Sequence, residues 1–238
     1  MDFTSTVEKF FPGSIDEARF IERTREVLDP LGFTPENTFA LVGGCRDELC
    51  RPLHLGIQRT WGEAFEISSL AGMVNCGRTG LQAAHGHAPI EGGRARYIYV
   101  VMPHIGIGEG GELGLSRRLG REGISHACGA LAGIHAELAR GEVDIELHWD
   151  DVEQSLLRQR LLAHLSWGSK PNLAELTHLT EQIARDDLEA LIAQDVDPKE
   201  ADYAVFTGIQ IHAMDGADLS WIDRAYAVVG GERHTLSV

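Results

Sequence analysis

The stretch Arg96-Tyr97-Ile98-Tyr99-Val100-Val101-Met102 is the clearest strand signal in the chain, and Pro103 and His104 follow it directly. Aromatic and β-branched residues dominate this stretch, as they do in the strands of sheets. Proline removes a backbone donor, so we expect the strand to stop there. Beyond it, the chain is expected to open into a glycine-rich loop from Gly106 to Gly114.

Further strands and helices alternate along the chain on both sides of this stretch. A short β-prone run at 37–42 ends in two glycines, and later runs at 204–212 and 224–229 are also predicted strands. Apolar residues at helical spacing predict helices at 6–29, 125–140, 150–166 and 173–195. Strands that alternate with helices predict an α/β fold with a mainly parallel central sheet flanked by helices.

Composition and charge exclude several classes of function. The chain has 238 residues and a net charge of −15, from 36 acidic and 21 basic residues. Nucleic-acid binding relies on clustered Lys and Arg, so no nucleic-acid partner is expected. No apolar run approaches the roughly 18 residues of a membrane span, and the N-terminus lacks the pattern of a secretory signal. We therefore expect a cytoplasmic protein without a membrane partner.

Cysteine and histidine side chains follow the predicted strands and suggest a metal site. Cys45 comes after the strand 37–42, His104 after the strand 96–102, and Cys128 stands near the start of the helix 125–140. Ligands bind at the carboxyl ends of strands in open α/β sheets, and two thiols with one imidazole suit a catalytic zinc with an open position. Each residue also has a plainer interpretation: a buried cysteine, a core histidine and a helix-packing cysteine.

The residues around these three positions resemble the limiting-CO2-inducible B/C family of β-carbonic-anhydrase-like proteins, also called the θ class. The resemblance extends over about residues 35–238. Ala71 stands where this family tends to carry glycine and Arg78 where lysine is usual, while Cys50 and Cys76 lie outside the family pattern. The matching stretches are Cys45–Pro52, Leu70–Met73, Gly77–Gly80, His87–Pro89, Pro103–Ile107, Cys128–Leu131 and Thr207–His212.

The resemblance implies a β-carbonic-anhydrase-like fold, a homodimer and zinc held by Cys45, His104 and Cys128. It also implies a catalytic dyad of Asp47 and Arg51 beside the metal. The expected activity is that of a carbonic anhydrase, a zinc lyase that interconverts CO2 and bicarbonate through zinc-bound hydroxide. The chain is then expected to be a single domain, 1–238. Its expected parts are an N-terminal helical arm (1–34), a metal-site core (35–140) and a region of helices and edge strands packed on that core (150–238).

The role of Asp47 and the route of the proton are open from the sequence. Asp47 either accepts a hydrogen bond from the zinc-bound hydroxide or binds zinc itself, and a pair with Arg51 favours the first arrangement. His87 and His126 are candidate proton shuttles, together with His85, because imidazole titrates near neutral pH.

Three other functions remain alternatives at this point. The chain could be a non-catalytic zinc-bearing member of the family that binds a partner or senses inorganic carbon. It could hydrolyse a CO2-like molecule such as CS2 or COS. The least favoured alternative is thiol redox chemistry at Cys45 and Cys50, whose spacing is not that of a CxxC motif.

Overall fold

The structure of the chain is a computed structural model that describes residues 1–118 and 120–238. The helices are α1 Phe3–Phe10, α2 Glu17–Leu28, α3 Arg51–Trp61, α4 Gly77–His85, α5 Gly129–Arg140, α6 Val152–His164 and α7 Leu173–Asp195. The strands are β1 Ile15–Asp16, β2 Phe39–Gly44, β3 Ala64–Glu66, β4 Ile90–Glu91, β5 Arg94–Met102, β6 His104–Ile107, β7 Leu115–Ser116, β8 Ser125–His126, β9 Ala201–Ala213, β10 Leu219–Val229 and β11 Glu232–Thr235.

The main sheet has the order β1-β10-β9-β5-β2-β3, and the neighbours β9, β5, β2 and β3 run parallel. The predicted α/β class with a mostly parallel central sheet is confirmed. The predicted strand 204–212, as β9, lies in the interior of the main sheet, between β10 and β5. Nearly every residue of β9 is buried, which suits a central strand that is covered on both faces. The wider division of the chain into parts stays a prediction.

Alternate residues of β5 face two different layers of helices. Ile98, Val100 and Met102 join one buried cluster that includes residues of α2 and α3. Tyr99 and Val101 join another that includes residues of α4 and α7. Because successive side chains of a strand point to opposite faces, this central strand is apolar on both.

The N-terminal region is two helices rather than one. The predicted helix 6–29 is interrupted after α1, where Pro12 and Gly13 form a turn and Gly13 takes a φ of +77°. Helix α2 then begins at a new cap, since the side chain of Asp16 accepts a hydrogen bond from the Arg19 backbone N–H. Proline is poorly tolerated inside a helix, which accounts for the break.

The sheet also continues past Pro103, where a loop was expected. Strand β6 pairs with β9 in parallel, with His104 opposite Gln210. Pro103 has no N–H to donate, but its carbonyl oxygen accepts the backbone N–H of Gln210 at 2.9 Å. Pro103 therefore only separates β5 from β6, which both pair with β9, and His104 lies inside the sheet. In the described part of the chain, every helix is too short or too polar to cross a bilayer.

Candidate metal centre

Cys45 lies immediately beyond the carboxyl end of β2 and is buried. The two glycines before it allow the neighbouring elements to approach closely. A Cβ atom on Gly44 would lie 2.7 Å from the His54 Nε2 atom, and a Cβ atom on Gly43 would lie 3.1 Å from Ile67 and from Val101 side-chain atoms. Cβ atoms essentially never come as close as the first of these contacts, so glycine fits the crowded end of this strand.

His104 is fully buried at the start of β6, and its two ring nitrogens differ in their surroundings. Nδ1 lies 3.1 Å from the Nε2 atom of His212. Nε2 is also buried, and it has no hydrogen-bond partner among the described residues. Buried polar atoms are nearly always hydrogen-bonded, so an unpaired imidazole nitrogen at this position calls for another ligand.

Cys128 is the N-cap residue of α5, and its backbone is in the left-handed region with φ 55° and ψ 69°. In the described ranges, Ala71 is the other non-glycine residue with positive φ, at 58°. This conformation costs a side-chain-bearing residue of the order of 1 kcal/mol. Because glycine adopts positive φ without this cost, glycine suits position 71. At position 128, it holds a buried thiol in an orientation that a regular helix start would not provide.

The ligand atoms of Cys45, His104 and Cys128 all lie within 4.8 Å of one another. Hydrogen bonding from the Cys128 thiol lowers the pKa of Cys45 to about 4, although burial opposes the shift. The pKa of Cys128 is raised by the same contact and by burial, because a second thiolate beside the first would be repelled. Two sulfurs and a free imidazole nitrogen are a donor set that zinc prefers, and a divalent cation would relieve this repulsion.

A second set of donor atoms shares His104 with the first. Cys50 Sγ and ring nitrogens of His104 and His212 also lie within 4.8 Å of one another, and all three residues are buried. The two imidazoles in this set are already joined by their own hydrogen bond. The set with Cys45 and Cys128 therefore fits a metal better, since it uses the nitrogen that is left unpaired.

Asp47 pairs with Arg118 and not with Arg51, so the predicted dyad is corrected in one member. The Arg118 guanidinium donates to both carboxylate oxygens of Asp47, from Nη1 at 2.7 Å and from Nη2 at 2.9 Å. The same carboxylate accepts the Leu49 backbone N–H at 3.2 Å. Although burial opposes the shift, the pKa of Asp47 is lowered to about 2, chiefly by the Arg118 guanidinium and also by charge on His104 and the Leu49 backbone N–H.

Arg51 has a different environment for a local reason. It begins α3 with Pro52 as the next residue, and it is exposed. Asp47 is the N-cap residue of a 3-10 turn at Glu48–Cys50, and its carboxylate bends back onto this turn. Arg118, 71 residues away in sequence, donates a further hydrogen bond to the His126 carbonyl oxygen at 2.9 Å. No local spacing rule could have identified this partner.

A cleft of about 440 Å³ opens beside Cys45 and Asp47. Arg51 lies on its wall without pairing to Asp47, and the side chain of Arg46 is held by Glu153 at 2.7 Å. The residues that line the cleft are Cys45, Arg46, Asp47, Glu48, Arg51, His54, Glu66 and Ser68.

The histidine on this cleft is His54, which the sequence did not single out. The three candidate shuttles lie elsewhere. His85 contacts Asp195 at 3.0 Å and Tyr99 at 2.6 Å. His87 stacks on Phe39 at the amino end of β2, opposite the end that leads to Cys45. His126 is exposed on β8, beside another cavity.

Comparison with known proteins places the chain in a family. Residues 14–229 match the family described as limiting CO2-inducible proteins B/C beta carbonic anhydrases. The crystal structure of limiting CO2-inducible protein LCIB is 32% identical, with 98% of each chain covered and a TM-score of 0.79. PtLCIB4, a homolog of LCIB, is 22% identical, with 99% of this chain and 100% of that chain covered and a TM-score of 0.81, which supports the fold alone. The search of curated proteins finds no match. The chain therefore belongs to the family of limiting CO2-inducible proteins B/C beta carbonic anhydrases.

Proposed function

We propose that this chain binds one zinc ion through Cys45, His104 and Cys128 and interconverts CO2 and bicarbonate. The observation that carries the proposal is the unpaired, buried Nε2 atom of His104 in a residue grouped with two buried thiols. One of these thiols also lines an open cleft, which a small neutral molecule can enter. When bound, zinc supplies a Lewis acid that lets water ionise near neutral pH.

Asp47 is the group that we expect to orient the attacking oxygen. Its pKa of about 2 keeps it ionised at neutral pH, where a carboxylate only accepts hydrogen bonds. Arg118 occupies both of its oxygens in a bidentate pair, which holds the carboxylate away from the metal. Because Oδ1 also accepts the Leu49 backbone N–H, the further lone pair is on Oδ2. Arg118 is therefore a positioning residue in this proposal, and the role first given to Arg51 passes to it.

The proton released in CO2 hydration needs an acceptor that leads to solvent. His54 lines the cleft, and its Nδ1 atom lies 3.8 Å from a carboxylate oxygen of the exposed Glu66. We add His54 to the candidate shuttles on this ground. His87 and His126 keep their predicted role as alternatives. His87 could serve only if a second copy brought it to the cleft, which would fit the homodimer that the resemblance implies.

Metal analysis of the purified chain tests the site, with Cys45→Ser and Cys76→Ser as a matched pair. Both variants replace a thiol, but Cys76 is half-buried and lies outside the two donor sets. We expect one zinc per chain in the wild type and in Cys76→Ser, and loss of zinc in Cys45→Ser. Full zinc occupancy in Cys45→Ser would refute the ligand assignment.

Stopped-flow CO2 hydration with the zinc-loaded chain tests the activity. We expect hydration that Asp47→Asn reduces by about 100-fold, since one orienting group of this kind typically contributes that much. Zinc binding with no hydration at any pH would favour the non-catalytic alternative. Turnover of CS2 or COS in the same preparation, with no turnover of CO2, would favour the third candidate. Light scattering tests the homodimer.

A further inference from the structure

A row of three polar side chains, the first two of them buried, extends from His104 toward the surface. His104 Nδ1 lies 3.1 Å from His212 Nε2, and His212 Nδ1 lies 2.8 Å from Asp218 Oδ2. Both histidines are almost completely buried, and the Asp218 side chain is 18% exposed. This row of side chains lies on the far side of His104 from its unpaired Nε2 atom.

The hairpin of β9 and β10 holds this row in place. His212 is near the end of β9, and Asp218 directly precedes β10, so a six-residue separation brings the two side chains together. The second carboxylate oxygen of Asp218 accepts the Ala213 backbone N–H at 3.1 Å. Its carbonyl oxygen accepts the Glu17 backbone N–H at 3.0 Å. Asp218 is therefore fixed from both strands and from the start of α2.

We propose that His212 and Asp218 are positioning residues that set the proton of the His104 ring on Nδ1 and so direct the Nε2 lone pair toward the metal. The inference rests on the proposed zinc site for its metal, whereas the hydrogen-bonded row of side chains is a property of the chain itself. Neither residue was identified as a site residue from the sequence.

The direction of the hydrogen bonds follows from the chemistry of each group. A carboxylate can only accept, so His212 donates to Asp218 from Nδ1. In a neutral imidazole the other nitrogen then accepts, so His212 Nε2 accepts a hydrogen bond from the protonated Nδ1 atom of His104. The Nε2 atom of His104 is left with a free lone pair, which is the form that a metal binds.

Partners of this kind are expected to affect metal affinity strongly. Outer groups that orient a ligating histidine typically contribute 10- to 100-fold to metal affinity. Here the ring is buried, so a ring with its proton on Nε2 would present a donor to the metal position. The same arrangement argues against a metal between Cys50, His104 and His212, because that metal would break the bond on which the row depends.

The proton positions can be measured in the zinc-loaded wild-type chain. Long-range ¹H–¹⁵N correlation spectra of histidine-labelled protein distinguish the two neutral tautomers and the doubly protonated ring. Comparison with His104→Gln and His212→Gln assigns the signals. We expect both rings to carry a single proton, on Nδ1. A His104 ring whose single proton is on Nε2 would overturn the inference.

The effect on zinc is tested by chelator competition with Asp218→Asn and a matched control, Asp215→Asn. Both residues lie in the same hairpin turn, but Asp215 is exposed and accepts the Ala217 backbone N–H at 3.0 Å, without contact to either histidine. A carboxamide can present its NH2 group to His212 and so reverse the direction of both bonds. We expect zinc affinity to fall 10- to 100-fold in Asp218→Asn and to change less than twofold in Asp215→Asn.

Each failure has a separate meaning. Wild-type affinity in a folded Asp218→Asn would refute the positioning role. A wild-type chain that binds no zinc would refute the proposed function and, with it, the inference that the Nε2 lone pair of His104 is directed toward a metal. Zinc binding that depends on Asp218 without CO2 hydration would support the inference and refute the proposed activity alone.

Discussion

Replacing Arg118 with alanine removes the group that pairs with Asp47. The Asp47 side chain is 10% exposed and the Arg118 side chain 17% exposed, so solvent screens the pair little. Burial by itself raises the pKa of Asp47, and the lowering to about 2 from an ordinary value of 3.8 is chiefly due to Arg118. Without Arg118, we expect burial to offset the remaining lowering contributions and the pKa to return close to its ordinary value. This shift of roughly two units corresponds to about 2.5 kcal/mol at neutral pH.

The sign of the pH dependence follows from the direction of this shift. A carboxyl group with a lowered pKa in the folded state stabilises the fold above its unfolded pKa, near 3.8. The contribution is lost as the pH falls through the folded value, about 2. Urea unfolding of the zinc-free chain should therefore show Arg118→Ala destabilised by about 2 to 3 kcal/mol at pH 7 and by about half as much at pH 3.

Hydration activity provides the second measurement, with Arg51→Ala as the control. Arg51 is close to Asp47 in sequence but exposed, whereas Arg118 is distant in sequence and makes the bidentate pair with Asp47. We expect Arg118→Ala to lose about 100-fold in hydration with zinc content unchanged, and Arg51→Ala to lose less than twofold. If Arg118→Ala kept wild-type activity while Arg51→Ala lost it, our assignment of the dyad would be wrong.

Three further predictions concern stability. Burial raises the pKa of Glu181 to about 7, so its contribution to the stability of the fold is complete below about pH 4.5 and is lost as the pH rises through 7. In urea unfolding, Glu181→Gln should therefore be more stable than wild type by about 2 to 3 kcal/mol at pH 8 and nearly equal to it at pH 4. A Cβ atom on Gly208 would lie 1.9 Å from a backbone carbonyl oxygen of β10, so Gly208→Ala should lower stability by about 2 kcal/mol or more, whereas Gly133→Ala in the interior of α5 should raise it by up to about 1 kcal/mol. Arg158 donates two hydrogen bonds to Glu137 and is largely buried, so Arg158→Ala should cost about 3 kcal/mol, and a loss below 0.5 kcal/mol in thermal or urea unfolding would contradict this.

The sequence alone indicated the fold class because its signals are local. A strand such as 96–102 is evident from its run of apolar and aromatic residues, and α7 from its spacing and its capping residues, Asn172 and Glu175. Cys45 and His104 each follow a predicted strand, and the carboxyl ends of parallel strands lie at one edge of the sheet, so the sequence predicted that the two residues lie close together. The grouping with Cys128 agrees with these expectations, and it rested largely on a family resemblance.

Tertiary structure alone decided which groups surround these residues. Arg118 reaches Asp47 across 71 residues, and His212 reaches His104 across 108. Such pairs depend on strand register and on the path of loops, which no short-range pattern of residues encodes. The sequence could propose a neighbour for Asp47 four residues away, but the carboxylate is held by the guanidinium that the folded chain brings closest in low-dielectric surroundings, where an ion pair is strongest.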